Sequence, residues 1–190
     1  MSDLLGNIIA FTVSNFTLTL LVIWLVVAIV LIAVRRPDRH GAFAIALNWF
    51  LLLAIGVTYS FNAIMHVVFG DLSALMIGWD QSPFQAEVGF ASLGVGIVGI
   101  MAFPARAPLS LKLAALVGPA CFLWGAAGTH IVNIVETGNM ASHNAGVILY
   151  TDIFTPILGF ALWGLVAATR KPASEVPVSE PFGASTIAAS

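Results

Sequence analysis

The stretch FTLTLLVIWLVVAIVLIAVRR, residues 16–36, decides the class of this protein. Nineteen residues from Phe16 to Val34 carry no charge, and Arg35 and Arg36 end the run. A bilayer core is crossed by about 20 apolar residues in a helix, because lipid offers no partner to an unpaired N–H or C=O. The whole chain follows suit. Of its 190 residues, 59% are hydrophobic and only 8% are charged. A soluble domain carries roughly 25% charged residues, so this chain lacks the polar surface to cover a water-facing globule. The reading is an all-α, polytopic membrane protein with five transmembrane helices in a compact bundle.

Working outward from residues 16–36, the spans are expected at about 8–34, 42–69, 83–103, 109–135 and 145–169. Residues 1–171 form the transmembrane bundle. Residues 172–190, rich in Pro, Ser and Ala, are expected to be a disordered cytoplasmic tail. All 7 Lys and Arg fall at alternate ends of these spans. Arg35, Arg36 and Arg39 follow the first, Arg106 and Lys112 separate the third from the fourth, and Arg170 and Lys171 follow the fifth. The positive-inside rule puts these sites in the cytoplasm, which places the N-terminus outside and the C-terminus inside. The first span is not a cleavable signal, because its basic residues come after the apolar run and not before it.

Local signals refine the picture. Ser82-Pro83-Phe84-Gln85 reads as a capping box opening the third span. Gly70–Gln81 is expected to rest on the membrane surface, with Trp79 as an interfacial anchor. Glycines in span three (Gly89, Gly94, Gly96, Gly99) and span four (Gly118, Gly125, Gly128) predict close helix packing, and Pro119 and Pro156 predict kinks. The lone Cys121 excludes an internal disulfide. No basic patch, nucleotide loop or Ser–His–Asp pattern is present, so the chain is read as binding no nucleic acid.

Ionisable groups inside a membrane are candidate functional groups. His66, Glu87, His130 and Asp152 come from four different spans and lie roughly 4–11 Å below the outer helix ends, at a rise of about 1.5 Å per residue. Tyr59, Asn62 and His66 share one helix face, as do His130 and Asn133, so Tyr59, Asn62 and Asn133 are expected to line the same outward-facing pocket. Two imidazoles and two carboxylates suit a divalent metal ion (Zn, Mn or Fe), with His66, Glu87, His130 and Asp152 as ligands. The same groups suit a proton relay beside a quinone or lipid. Haem on His66 and His130 would leave the carboxylates without a role. The competing reading is that these residues only bond across helices, at about 0.6 kcal/mol each. His143-Asn144 lies in the outer loop before span five; helix entry by Asn144 is expected, with a lid over the pocket as the alternative.

The stretch from Gly78 to Ala91, GWDQSPFQAEVGFA, followed by the glycine-rich third span, resembles small bacterial membrane proteins of the DoxX-like type. The resemblance covers about residues 42–163 and implies a four-helix membrane core to which span one is an addition. It implies a bacterial inner (plasma) membrane location, a role for Glu87 and a link to quinone or redox chemistry. It says nothing of His66 or His130. A membrane-protein partner or homo-oligomer is the alternative expectation, with the chain as a non-catalytic accessory or assembly subunit. Whether the chain is an enzyme is left open at this point.

Overall fold

The structure is a computed structural model that describes residues 2–170, all its regular elements being helical. Five stretches are long and apolar enough to cross a membrane: Phe16–Arg35, Arg39–Val68, Phe84–Ala102, Leu109–Thr137 and Ser142–Thr169. The chain is thus a multi-pass membrane protein. The expected tail at 172–190 lies outside the described residues.

The first span begins later than residue 8. A separate helix, α1 (Ser2–Ser14), precedes α2 (Phe16–Arg35), and the two are divided at Asn15. Asn15 leaves the helical conformation (φ −110°, ψ 41°), and its Nδ2 donates to the Phe11 carbonyl at 3.0 Å. A side-chain amide that bonds nearby backbone competes with helix continuation.

Span two starts at Asp38, whose carboxylate accepts from Gly41 N at 2.8 Å. It comprises α3 (Arg39–Phe50), a wider π-helical stretch (Leu51–Val57) and α4 (Thr58–Val68). Thr58 Oγ1 donates to the Leu53 carbonyl at 2.9 Å, five residues back, on the widened turn. A short helix α5 (Gly70–Ile77) folds over this end. Its Ser73 and Ala74 are buried, and Ser73 Oγ donates to the Met65 carbonyl at 3.0 Å. The segment expected on the membrane surface is therefore docked on the bundle.

Span three, α6 (Phe84–Ala102), packs on span two through small residues. A Cβ at Gly96 would lie 2.9 Å from Ser60 N, and one at Gly99 would lie 2.7 Å from Gly56 N. Asn62 Nδ2 donates to Ser92 Oγ at 2.9 Å across the same seam. Helices without a hydrophobic drive to separate from lipid associate through such close approach. The glycines of span four behave otherwise. Gly118, Gly125 and Gly128 have nothing within 4 Å of a Cβ position, as does Gly94, so they make no close crossing.

Span four is α7 (Leu109–Thr137). Span five is broken at Gly146 into α8 (Ser142–Ala145) and α9 (Val147–Thr169). The apolar core gathers Trp24, Leu47, Phe50, Leu51 and Leu116, with Trp24 and Phe50 edge-to-face at 5.3 Å. The outer surface of α2 (Val22, Ile23, Val26, Ile29 and Val30) is exposed and apolar, as lipid requires.

The bundle has two unlike ends. At one end, His40 Nδ1 and Thr169 Oγ1 lie 3.1 Å apart and Trp163 Nε1 donates to the Leu109 carbonyl at 3.0 Å. Here too Lys112 is buried. Its Nζ donates to Asn48 Oδ1 (2.7 Å), the Ala102 carbonyl (2.7 Å) and the Pro104 carbonyl (3.0 Å). All three ammonium protons are used, partly on carbonyls at the α6 C-terminus, where a cation also opposes the helix dipole. The other end is described next.

Candidate functional site

A cavity of about 560 Å³ opens among α2, α4, α7 and α9, at the end away from the basic loops. Phe16, Leu21, Phe122, Leu123 and Ile148 give it largely apolar walls. Its polar lining includes Tyr59, Asn62 and His66 from α4, His130 from α7, and Asp152 and Thr155 from α9. The shared face of α4 and the polar groups of α7 and α9 thus meet in one place.

Each polar group is held differently. His130 is 7% exposed, and its Nδ1 lies 2.8 Å from Asn144 Oδ1. Asn144 is fully buried, and its Nδ2 donates to the Asn139 carbonyl at 2.8 Å. That bond fixes the amide so that Oδ1 accepts from His130, which places the imidazole proton on Nδ1. Asn144 therefore orients a histidine and does not cap a helix; a long-range partner won over the local one. His66 Nδ1 likewise lies 2.5 Å from Gln85 Oε1. The expected capping box is absent for this reason: Gln85 reaches across to α4, and no side chain caps α6.

Asp152 is 3% exposed and lines the cavity with no hydrogen-bond or ion-pair partner among the described residues. Its oxygens are not sealed in, since no fully enclosed side-chain N or O atom lacks a partner among the described residues. They therefore face the open space. Thr155 stands one turn along at 6% exposure, equally without a partner among those residues. Pro156 has no N–H to offer the Asp152 carbonyl four residues back, so the α9 ladder is interrupted at this residue. Tyr59 is within electrostatic range of Asp152, and its hydroxyl donates weakly to the Pro119 carbonyl at 3.5 Å.

Trp79 forms part of the cavity wall. Trp79 sits 5.6 Å from the His130 ring, centroid to centroid, and its Nε1 donates to Asn133 Oδ1 at 3.1 Å. Asn139 Nδ2 holds the turn before Trp79 through the carbonyls of Ile77 (3.0 Å) and Gly78 (3.3 Å). Gly78 adopts φ +77°, and a Cβ there would meet Asn139 Oδ1 at 2.9 Å, so the turn needs glycine. Trp79, expected as an interfacial anchor, is exposed at this end of the bundle and also lines the cavity. Asn133, expected to line the pocket, instead holds Trp79 from behind.

The four expected metal ligands are not gathered. His66, His130 and Asp152 line the cavity, but Glu87 is exposed and does not. The buried stripe of α6 runs through Gln85, Gly89, Ser92, Gly96 and Gly99. Glu87 is two residues from Gly89, or about 200° around the helix, and so faces away. Among the described residues no group of three or more His, Cys, Asp or Glu side chains is placed to hold a metal ion.

Residues outside the expected pocket set complete the site. His143 lines the cavity within electrostatic range of His130 and His66, and its ring bonds the Ser14 backbone. Gln85, Thr155 and Asn144 also belong here. Of the outer-loop pair, His143 thus stands on the cavity wall and Asn144 behind His130.

Compared with curated proteins and with solved structures, the chain finds no match in either. A family model does match, over residues 14–172, and its description is a family of unknown function. The match covers most of the chain, which therefore belongs to this family of unknown function, DUF6790.

Proposed function

We propose that this chain is a membrane-embedded binding protein for a small, mainly apolar molecule of the quinone or lipid class. The observation that carries the reading is Asp152: a nearly buried carboxyl, without a partner among the described residues, facing a cavity of about 560 Å³. Burying a polar group with no partner is unfavourable, so such a group calls for a ligand. Small-molecule sites are typically about 300–1,000 Å³, apolar-walled, with a few placed polar groups. The cavity has that size and that make-up. A metal centre is not part of the reading, because the carboxylate of Glu87 faces away from the other three groups.

The test is extraction of the protein, purified in mild detergent, with organic solvent and mass spectrometry of what is released. Near-stoichiometric release of one compound is expected, together with its loss in Ala126→Trp, which fills the cavity from α7. Release of only bulk lipid, in equal amount from both proteins, would refute the reading.

The same reading puts the cavity on the outer face of a bacterial inner membrane, with the N-terminus outside; the basic loops at the opposite end of the bundle support it. In a Cys121→Ser background, a cysteine at Asn139 is expected to react with a membrane-impermeant maleimide in intact cells, and one at Arg106 only after lysis. The reverse pattern would invert the topology.

A second reading, an accessory subunit, is favoured by α1. Its Leu4, Leu5, Ile8, Ile9 and Phe11 are exposed, and its 13 residues are too few to cross a bilayer. Gentle extraction in a stable larger complex supports that reading.

A further inference from the structure

Each of the five spans gives a helix to the cavity wall: α2, α4, α6, α7 and α9, in order around it. Four of the five seams between these helices are latched alongside the cavity. The rings of Phe16 and Phe61 meet at 4.7 Å, centroid to centroid, between α2 and α4. His66 and Asn62 of α4 bond to Gln85 and Ser92 of α6. Trp124 Nε1 donates to the Ile153 carbonyl at 3.3 Å between α7 and α9. Thr17 Oγ1 and Thr151 Oγ1 lie 3.1 Å apart between α2 and α9. The seam between α6 and α7 differs. Lys112 joins the two helices at the far end, through the Ala102 carbonyl. Alongside the cavity no side-chain hydrogen bond joins them among the described residues. Each helix instead offers a residue that both lines the cavity and is exposed outside: Phe84 on α6, 69% exposed, and Thr129 on α7. A residue with both properties stands on the rim of an opening. Trp79 and Asp80 share those properties and form the end of the rim nearest the loop. Thr129 gives its hydroxyl to the Gly125 carbonyl at 3.1 Å, and a Cβ at Gly125 would meet nothing within 4 Å, so nothing covers this lip. Thr129 stands eight residues before the α7 end at Thr137, roughly 12 Å down the helix. Exposed Ile131, Val132 and Val135 lie between the two, so the apolar outer surface of α7 extends past the opening.

We infer that the cavity opens sideways into the bilayer between α6 and α7, and that its ligand enters and leaves through this gap, with Phe84 and Thr129 as the two lips. The inference rests on the reading of the cavity as a binding site and adds the source of its occupant: a molecule dissolved among the acyl chains, not a water-borne solute. By this route the apolar part of the ligand passes from lipid to the apolar wall without exposure to water, which would be unfavourable.

The test uses the full chain in phosphatidylcholine vesicles, with Phe84→Cys and Thr129→Cys in the Cys121→Ser background. A bis-maleimide with a disulfide in its middle ties the lips together, and mass spectrometry confirms the bridge. The probes are a decyl-benzoquinone and a nitroxide-labelled fatty acid, each followed by quenching of Trp79, which lines the cavity. The bridge is expected to slow uptake and release alike, by at least about tenfold, and to leave Kd unchanged, because a raised barrier alters both rates and neither end state. Reductant, which opens the linker, is expected to restore both rates. Thr129→Trp, which narrows the gap without a cross-link, is expected to slow both rates as well. Rates that neither the confirmed bridge nor Thr129→Trp changes would overturn the inference and leave the binding site standing. So would a raised Kd with uptake unchanged, which would make the lips ligand contacts and not an entrance. Failure of both probes to bind the unmodified protein would overturn the binding reading with it.

Discussion

Gly99→Leu and Gly96→Leu are each expected to abolish recovery of folded, monodisperse protein, whereas Gly94→Leu on the same helix leaves it intact. At Gly99 a Cβ would approach Gly56 N to 2.7 Å and Gly56 Cα to 3.0 Å; at Gly96 it would approach Ser60 N to 2.9 Å and the Gly56 carbonyl to 3.0 Å. These obstacles are main chain, which does not swing aside as a side chain does. Helices α6 and α4 must move apart, losing the seam and the Asn62–Ser92 bond with it. Overpacking by single methylenes costs about 1–3 kcal/mol, and a leucine side chain against backbone exceeds that range. At Gly94 the same side chain enters open space. The measurement is thermal stability by fluorescence-detected size exclusion. Equal losses at Gly94 and Gly99 would show that the stripe is not the seam holding the bundle.

Lys112→Met is expected to lower stability by about 2–4 kcal/mol, since hydrogen bonds to charged groups are worth about 1.5–3 kcal/mol and orphaned buried carbonyls add a desolvation penalty. Methionine matches the length of the side chain but leaves Asn48, Ala102 and Pro104 without their donor. Lys112→Arg is expected to rescue only partly, because a planar guanidinium does not match three acceptors gathered around one point. Arg106→Met, at an exposed position in the neighbouring loop, is the control for charge alone. Melting curves for Lys112→Met and Arg106→Met that coincide would reduce Lys112 to a topology marker.

The architecture was legible because a membrane makes two demands that composition alone meets: about 20 apolar residues per crossing and satisfied backbone within each segment. Residues 16–36 carry both signals at once. What escaped depends on partners distant in sequence. Gln85 reads as a cap for α6 until His66, 19 positions away, is seen to take its oxygen. Asn144 reads as a helix opener until His130 is placed beside it. The depth argument put His66, His130 and Asp152 at one level, and all three line one cavity, but depth says nothing of direction around a helix. Glu87 shows the difference. Its phase against Gly89, Ser92, Gly96 and Gly99 was present in the sequence and would have turned it outward, had the side of α6 that packs been known. In span four the glycines misled for the same reason: Gly118, Gly125 and Gly128 lie on surfaces with no neighbour.

The widened turn at Leu51–Val57 bears on ancestry as well as shape. Beyond it lie Tyr59, Asn62 and His66, all on the cavity. Each residue added to or removed from a helix rotates everything after it by about 100°. A chain one codon shorter here, wound as an ordinary helix, would keep the same tyrosine, asparagine and histidine and turn them from the cavity toward other surfaces. The cavity is therefore inherited through the length of one helix as much as through its letters. Two homologues that agree at every polar position but differ by one residue in this stretch would not share a binding site.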